Sequence, residues 1–179
     1  MVSMVTGVWR VGVICTLGAT LIGLAGCAST PSVRQTPNPG GLAPLGMPNP
    51  AGQLTPGQAQ DVTLYAMTLV GTPYRYGGNT PAGGFDCSGL IGHVYQTNAG
   101  LVAPRTTAKL QFWGNAVAPE NLRMGDLVVF LNSNLTANHA GIYVGSNRFV
   151  HAPSTGGVVR MDSLAGKHWA TQTVVVRRP

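Results

Sequence analysis

The sequence predicts an α+β domain, with helices first and strands after them. Three observations lead there. Apolar residues recur at helical spacing between positions 55 and 113. Beyond Gly125 they gather into short runs of strand length. With 179 residues, 44% of them hydrophobic, the chain is long enough for one core of ordinary size.

The composition is not uniform along the chain. Residues 1–26 read as a lipoprotein signal peptide. Arg10 precedes the apolar run from Val11 to Leu24, which is too short for a comfortable membrane span and suits a signal-peptide core. The run ends in Leu24-Ala25-Gly26-Cys27, which resembles a lipobox: small residues admit a peptidase, and the Cys27 thiol accepts the lipid. Several acyl chains, palmitate among them, hold a membrane where one is marginal. Ala28 after the cysteine resembles an outer-membrane address, so the expected location is the outer membrane, facing the periplasm. Residues 27–57 hold Pro31, Pro37, Pro39, Pro44, Pro48 and Pro50 among glycines, and are expected to form a disordered tether behind the acylated cysteine.

The folded domain is placed at 58–179. Thr55 can cap a helix, Pro56 suits its first turn, and Gln58 completes a capping box. Ala59, Val62, Tyr65, Ala66 and Leu69 follow at helical spacing until Gly71-Thr72-Pro73 ends the element. Residues 74–85 are a glycine-rich loop. A second helix is expected from Asp86 or Cys87 to about Asn98, and a third from Thr106 or Thr107 to Trp113. Leu127–Leu131 reads as a strand. His139–Val144 and Arg148–Ala152 read as the arms of a hairpin, with further strands at Val158–Met161 and Thr173–Val176.

Charged residues make up 9% of the chain and the formal balance is +6. The arginines are scattered, with no basic helix and no alternation of aromatic and basic residues. That argues against nucleic-acid binding and suits a mild attraction to anionic wall polymers or phospholipid surfaces.

Of three cysteines, Cys15 lies in the leader, Cys27 ends it, and Cys87 alone falls in the folded part. Cys87 sits where a loop enters a helix. Free N–H groups and a partial positive charge there lower a thiol pKa and can hold an oxyanion. His139 opens one arm of the hairpin and His151 closes the other. A cysteine and two histidines supply a nucleophile, a base and an orienting group. A tight turn at Ser146-Asn147 would put the two histidines on opposite faces, so this reading requires a longer turn or a bulge near Gly145. Cys-His-His also suits zinc, but the closely spaced ligand pairs are absent, and neither metal nor other cofactor is expected. His93 and His168 read as surface or packing residues.

Five motifs occur in order: Gly71-Thr72-Pro73-Tyr74-Arg75-Tyr76-Gly77-Gly78, Phe85-Asp86-Cys87-Ser88-Gly89-Leu90, Pro104-Arg105-Thr106-Thr107, Met124-Gly125-Asp126-Leu127, and His139-Ala140-Gly141-Ile142-Tyr143 with Phe149-Val150-His151-Ala152. Together they resemble the NlpC-type family of cell-wall cysteine peptidases. The resemblance implies a papain-like fold, N-terminal helices packed on a C-terminal antiparallel sheet. It implies hydrolysis of an amide bond in peptidoglycan stem peptides, often the γ-D-glutamyl–diaminopimelate bond, by a monomer. It also makes Cys87 the nucleophile, His139 the base and His151 the third member. Tyr74 resembles the family tyrosine near the oxyanion, and Asp86 and Ser88 resemble residues that in some members bind a substrate amine. Arg105 reads as structural, leading into a helix capped at Thr106. The alternatives are a catalytically silent wall-binding lipoprotein and a thiol acyl or amide transferase.

Overall fold

In the computed structural model, which describes residues 54–179, the fold starts with a capped helix. The Thr55 hydroxyl accepts the Gln58 N–H and the Gln58 side chain accepts the Thr55 N–H, so α1 (Pro56–Thr68) is closed at its start. The Leu54 N–H donates to the Pro179 carbonyl at 2.9 Å, so the fold includes residues ahead of position 58. Cys27, the leader and most of the tether lie outside the described residues.

The glycine-rich loop contains a two-residue hairpin, β1 (Asn79–Thr80) and β2 (Gly84–Phe85). It leads straight into α2 (Cys87–Ala99), which Asp86 caps and a left-handed Gly100 ends. α3 is a single turn (Thr107–Leu110) and stops short of Trp113, and Thr106 gives it no side-chain cap. The chain turns sharply at Gly114 (φ 85°), whose missing side chain admits the Arg178 carbonyl, and at once becomes β3 (Asn115–Val117). Pairing with the C-terminal strand overrides helix propensity at that point.

The other strands are β4 (Leu127–Leu131), β5 (Ala137–Gly145), β6 (Arg148–His151), β7 (Arg160–Ser163) and β8 (Thr173–Arg178). They form one antiparallel sheet in the order β3-β8-β4-β5-β6-β7. β7 starts two residues later than the sequence suggested. Val158 and Val159 are used otherwise: Val158 bridges Pro73, and the Val159 N–H donates to the Thr72 carbonyl, tying the end of α1 to the sheet edge.

The sheet buries apolar side chains on both faces. Leu127, Val129, Ala140, Ile142 and Val150 join Val62, Leu90, Ile91, Val94 and Tyr95 of the helices in the larger cluster. Val128, Phe130 and Phe149 point the other way, against Tyr143, Leu164 and Trp169. β4 is therefore buried at every position, as its unbroken apolar run requires.

Register in the β5–β6 hairpin decides where the histidines point. Ser146 and Asn147, at φ 51° and 58°, form the two-residue turn that hairpin twist prefers. Gly145 pairs with Arg148, but Tyr143 pairs with Phe149 and Ile142 with Val150, so β5 carries one extra residue beside the turn. That bulge moves every later residue of β6 to the other face. His139 and His151 now share the face that carries Phe130 and Phe149.

Candidate active site

Cys87 is the first residue of α2. Its position is held by the Asp86 carboxylate, which gathers five donors. Oδ1 accepts the Gly89 N–H at 2.6 Å, the Ser88 hydroxyl at 3.0 Å and Arg105 Nη1 at 3.1 Å. Oδ2 accepts the Gly77 N–H at 2.9 Å and Arg105 Nη2 at 3.3 Å. Burial acts to raise the Asp86 pKa, but the hydrogen bonds from Gly89, Arg105 and Ser88 outweigh it and hold the carboxyl below its ordinary range. Asp86 is a helix cap paired with arginine. Ser88 is buried, 2.9 Å from the Arg105 carbonyl oxygen. Arg105 is thus structural as expected, through Asp86 rather than through a capped helix. Gly89 has no room for a side chain, because a Cβ there would strike the Gly78 carbonyl.

The half-buried Cys87 thiol lies near the backbone N–H groups of Cys87, Ser88 and Ala140, which favour its charged form. The first two are unpaired donors of the helix start, and the third belongs to the residue after His139. Burial pushes the thiol up from its ordinary value, the Asp86 charge adds to the rise, and the three N–H groups only partly oppose it. This corrects the expectation that a helix start lowers the thiol. Tyr74, half-buried, lies close enough for the charges of Cys87 and Asp86 to join burial in raising its phenol.

His139 Nε2 lies 2.8 Å from His151 Nδ1, with the rings nearly perpendicular at 82°. His139 Nδ1 is therefore the ring nitrogen not engaged by His151. Burial, with the positive potential of His151, Arg160 and His168, depresses the His139 pKa to about 3 against the pull of Asp162. Burial likewise takes His151 to about 4, although Asp162 favours its charged form. Both imidazoles are neutral at pH 7. The pair is not a stored cation.

Beyond His151 stands Asp162, with Oδ2 3.0 Å from His151 Nε2. The same oxygen accepts Trp169 Nε1 at 2.9 Å and Arg160 Nε at 3.1 Å. Trp169 stacks on His139 (5.4 Å, 25°) and meets His151 edge-on (5.1 Å, 85°). Sequence reasoning missed Asp162, Trp169 and the Asp86–Arg105 pair. The available signal was scarcity: only five acidic residues exist in the chain, and Asp162 follows a strand-like run. Of the remaining histidines, His93 meets the Tyr65 hydroxyl at 3.0 Å and packs on Phe85. His168 is exposed beside Trp169. It lines, with Asn138, Pro153, Gln172 and Phe130, a polar recess of about 280 Å³ that reaches His139.

A thiol at a helix start, two helix-start N–H groups beside it and an imidazole held by a second ring are the kinds of parts that acyl transfer through sulfur needs. The NlpC/P60 family model matches residues 71–178, which takes in all of them. The chain belongs to the NlpC/P60 family. It is 41% identical over 118 residues to the gamma-DL-glutamyl hydrolase of Bacillus subtilis, covering 65% of this chain and 28% of that protein. It is 38% identical over 115 residues to the murein DD-endopeptidase MepH of Escherichia coli, covering 63% and 42% respectively. The chain thus spans well under half the length of both relatives. Among solved structures, an NlpC/P60 family protein from Bacillus cereus superposes with a TM-score of 0.63 at 28% identity, over 67% of this chain and 39% of that one. The NlpC/P60 fold is the α+β, papain-like arrangement described above.

Proposed function

We propose that this chain is an exported, lipid-anchored cysteine peptidase that cuts an amide bond in peptidoglycan stem peptides. One observation carries the reading. The Cys87 thiol lies near the backbone N–H of Ala140, the residue after His139, and Nε2 of that imidazole lies 2.8 Å from His151 Nδ1. The family supports it, as do a relative named for γ-glutamyl hydrolysis and one named for D,D cleavage of murein.

In the proposed reaction His139 Nδ1 takes the thiol proton as sulfur attacks the amide carbonyl. The carbonyl oxygen becomes an oxyanion facing the N–H groups of Cys87 and Ser88, with the Tyr74 hydroxyl nearby. The C–N bond breaks, and the leaving amine takes the proton from His139. Water, deprotonated by His139, then attacks the thioester, releasing the carboxylic acid and restoring the thiol. Base catalysis of this kind is worth roughly 10²–10⁴-fold and one oxyanion donor about 3 kcal/mol. Because thiol and imidazole are both neutral at rest, the proton moves as substrate binds. The recess beside His139 gives room for a polar leaving fragment.

Acylation of Cys27 holds the domain at the outer membrane, on its periplasmic side, where it acts as a monomer. Muropeptide mass spectrometry after digestion of purified peptidoglycan tests the reading and identifies the bond. Cys87→Ala is expected to release nothing. Release by that variant, or none by the unaltered chain, rejects the peptidase. Loss of labelled palmitate in Cys27→Ala tests the anchor separately.

A further inference from the structure

We infer that Asp162 is a positioning residue that, acting through His151, decides which nitrogen of His139 is bare and able to take the Cys87 proton. The inference rests on the peptidase reading for its consequence, but not for its geometry.

A neutral imidazole carries one N–H and one lone pair. Two neutral rings joined Nε2 to Nδ1 can share their hydrogen bond in two ways. Either His139 Nε2–H donates and its Nδ1 is bare, or His151 Nδ1–H donates and His139 carries its proton on Nδ1. Only the first arrangement is a base. The choice is made at the far end. Asp162 Oδ2 already accepts Trp169 Nε1–H and the guanidinium of Arg160, whose Nη2 is 3.0 Å away. An oxygen so held is an acceptor, so His151 Nε2 must carry the proton. His151 Nδ1 is then a lone pair, His139 Nε2 must donate to it, and His139 Nδ1 is bare. Each step follows from the donor inventory of the group before it.

The sheet enforces the chain. Asp162 pairs with Phe149 across β6–β7, so it stands on the face that carries His151, and Trp169 covers it from the turn before β8. The charged or titratable groups acting on the two rings are Asp162 and Arg160 on β7 and exposed His168 next to Trp169. Arg160 offsets the charge of Asp162, so its contribution is direction more than field. An amide oxygen held by the same two donors would serve as well.

Two readouts on the full-length protein test this. Histidine-selective ¹⁵N spectra should place the protons of both rings on Nε2, whatever the substrate proves to be. In Asp162→Ala, a signal for protonated His139 Nδ1 should appear. kcat should fall on the order of 10- to 100-fold with KM little changed, less than the roughly 10⁴-fold found when such a carboxylate touches the base itself. Asp162→Asn should stay within about threefold of the parent in kcat. The inference is overturned by a proton on His139 Nδ1 in the unaltered protein, by unchanged tautomers in a folded Asp162→Ala, or by an equal loss in both variants. An inactive parent with the expected spectra would instead reject the peptidase and leave the positioning intact.

Discussion

Two carboxylates flank the site, and they are employed differently. Asp86 holds backbone as well as side chains: it takes the N–H groups of Gly89 and Gly77, and with Arg105 it seats the first turn of α2 on the glycine loop. Asp162 holds rings: it takes Trp169 and His151, with Arg160 outside them. Each is paired with a guanidinium that is about half exposed, so neither ion pair as such contributes much. The difference lies in what stands behind the pair. Behind Asp86 is the position of Cys87 and the integrity of a helix. Behind Asp162 is the direction of a proton. Equal-looking salt bridges can therefore fail in unlike ways, one through stability and the other through rate.

The widest separation is expected from His151→Ala. Losing the orienting ring should lower kcat by about 10³-fold while KM stays within a few-fold, as for triad members that act as a unit. A loss below tenfold would show that His139 is positioned without it. On the other side, Gly89→Ala places a methyl against the Gly78 carbonyl and should cost roughly 1–3 kcal/mol or more in urea unfolding, with activity lost alongside. Unchanged stability would mean that the loop moves freely away from α2. Asp86→Ala removes a helix cap and should cost about 1–2 kcal/mol, against less than about 1 kcal/mol for Asp162→Ala. Reversal of that order would undo the comparison.

Acid should separate the two regions as well. Both imidazoles have folded pKa values near 3 and 4, below the ordinary value, so the unfolded chain binds their protons first. Their contribution is full above roughly pH 6.5 and is lost as pH falls toward 4 and then 3. Asp86 and Asp162 are also depressed, so theirs is lost only below roughly pH 4. The thermal midpoint should therefore begin to drop below pH 6.5, and His151→Gln should flatten the first part of that drop. A midpoint constant down to pH 4.5 would contradict the buried, neutral pair. The smallest effect is expected at Tyr76, which is 88% exposed: Tyr76→Ala should change stability by under about 0.5 kcal/mol in the same melts.

What was legible in the sequence was local. The Thr55 capping box, the start of α2 at Cys87 and the limits of β4 all follow from neighbours within a few residues, and all are present. What was not legible depends on partners far along the chain. α3 ends early because β3 must meet β8, more than sixty residues later. The bulge beside Gly145 leaves no mark that distinguishes it from a plain turn, although the whole histidine arrangement depends on it. The direction of the thiol shift was missed for a similar reason. A helix start supplies donors, but the depth of burial and the nearness of Asp86 are properties of the assembled fold. Asp162 was invisible because its partners are brought together only by β-pairing and the turn before β8.

The indole of Trp169 lies face to face with His139 and edge to face with His151. Protonated imidazoles quench tryptophan emission far more than neutral ones, so this ring is a built-in optical gauge of the site. Fluorescence followed through an acid titration, with Trp9 and Trp113 replaced by phenylalanine to clear the background, would report when either ring gains a proton, without label or substrate.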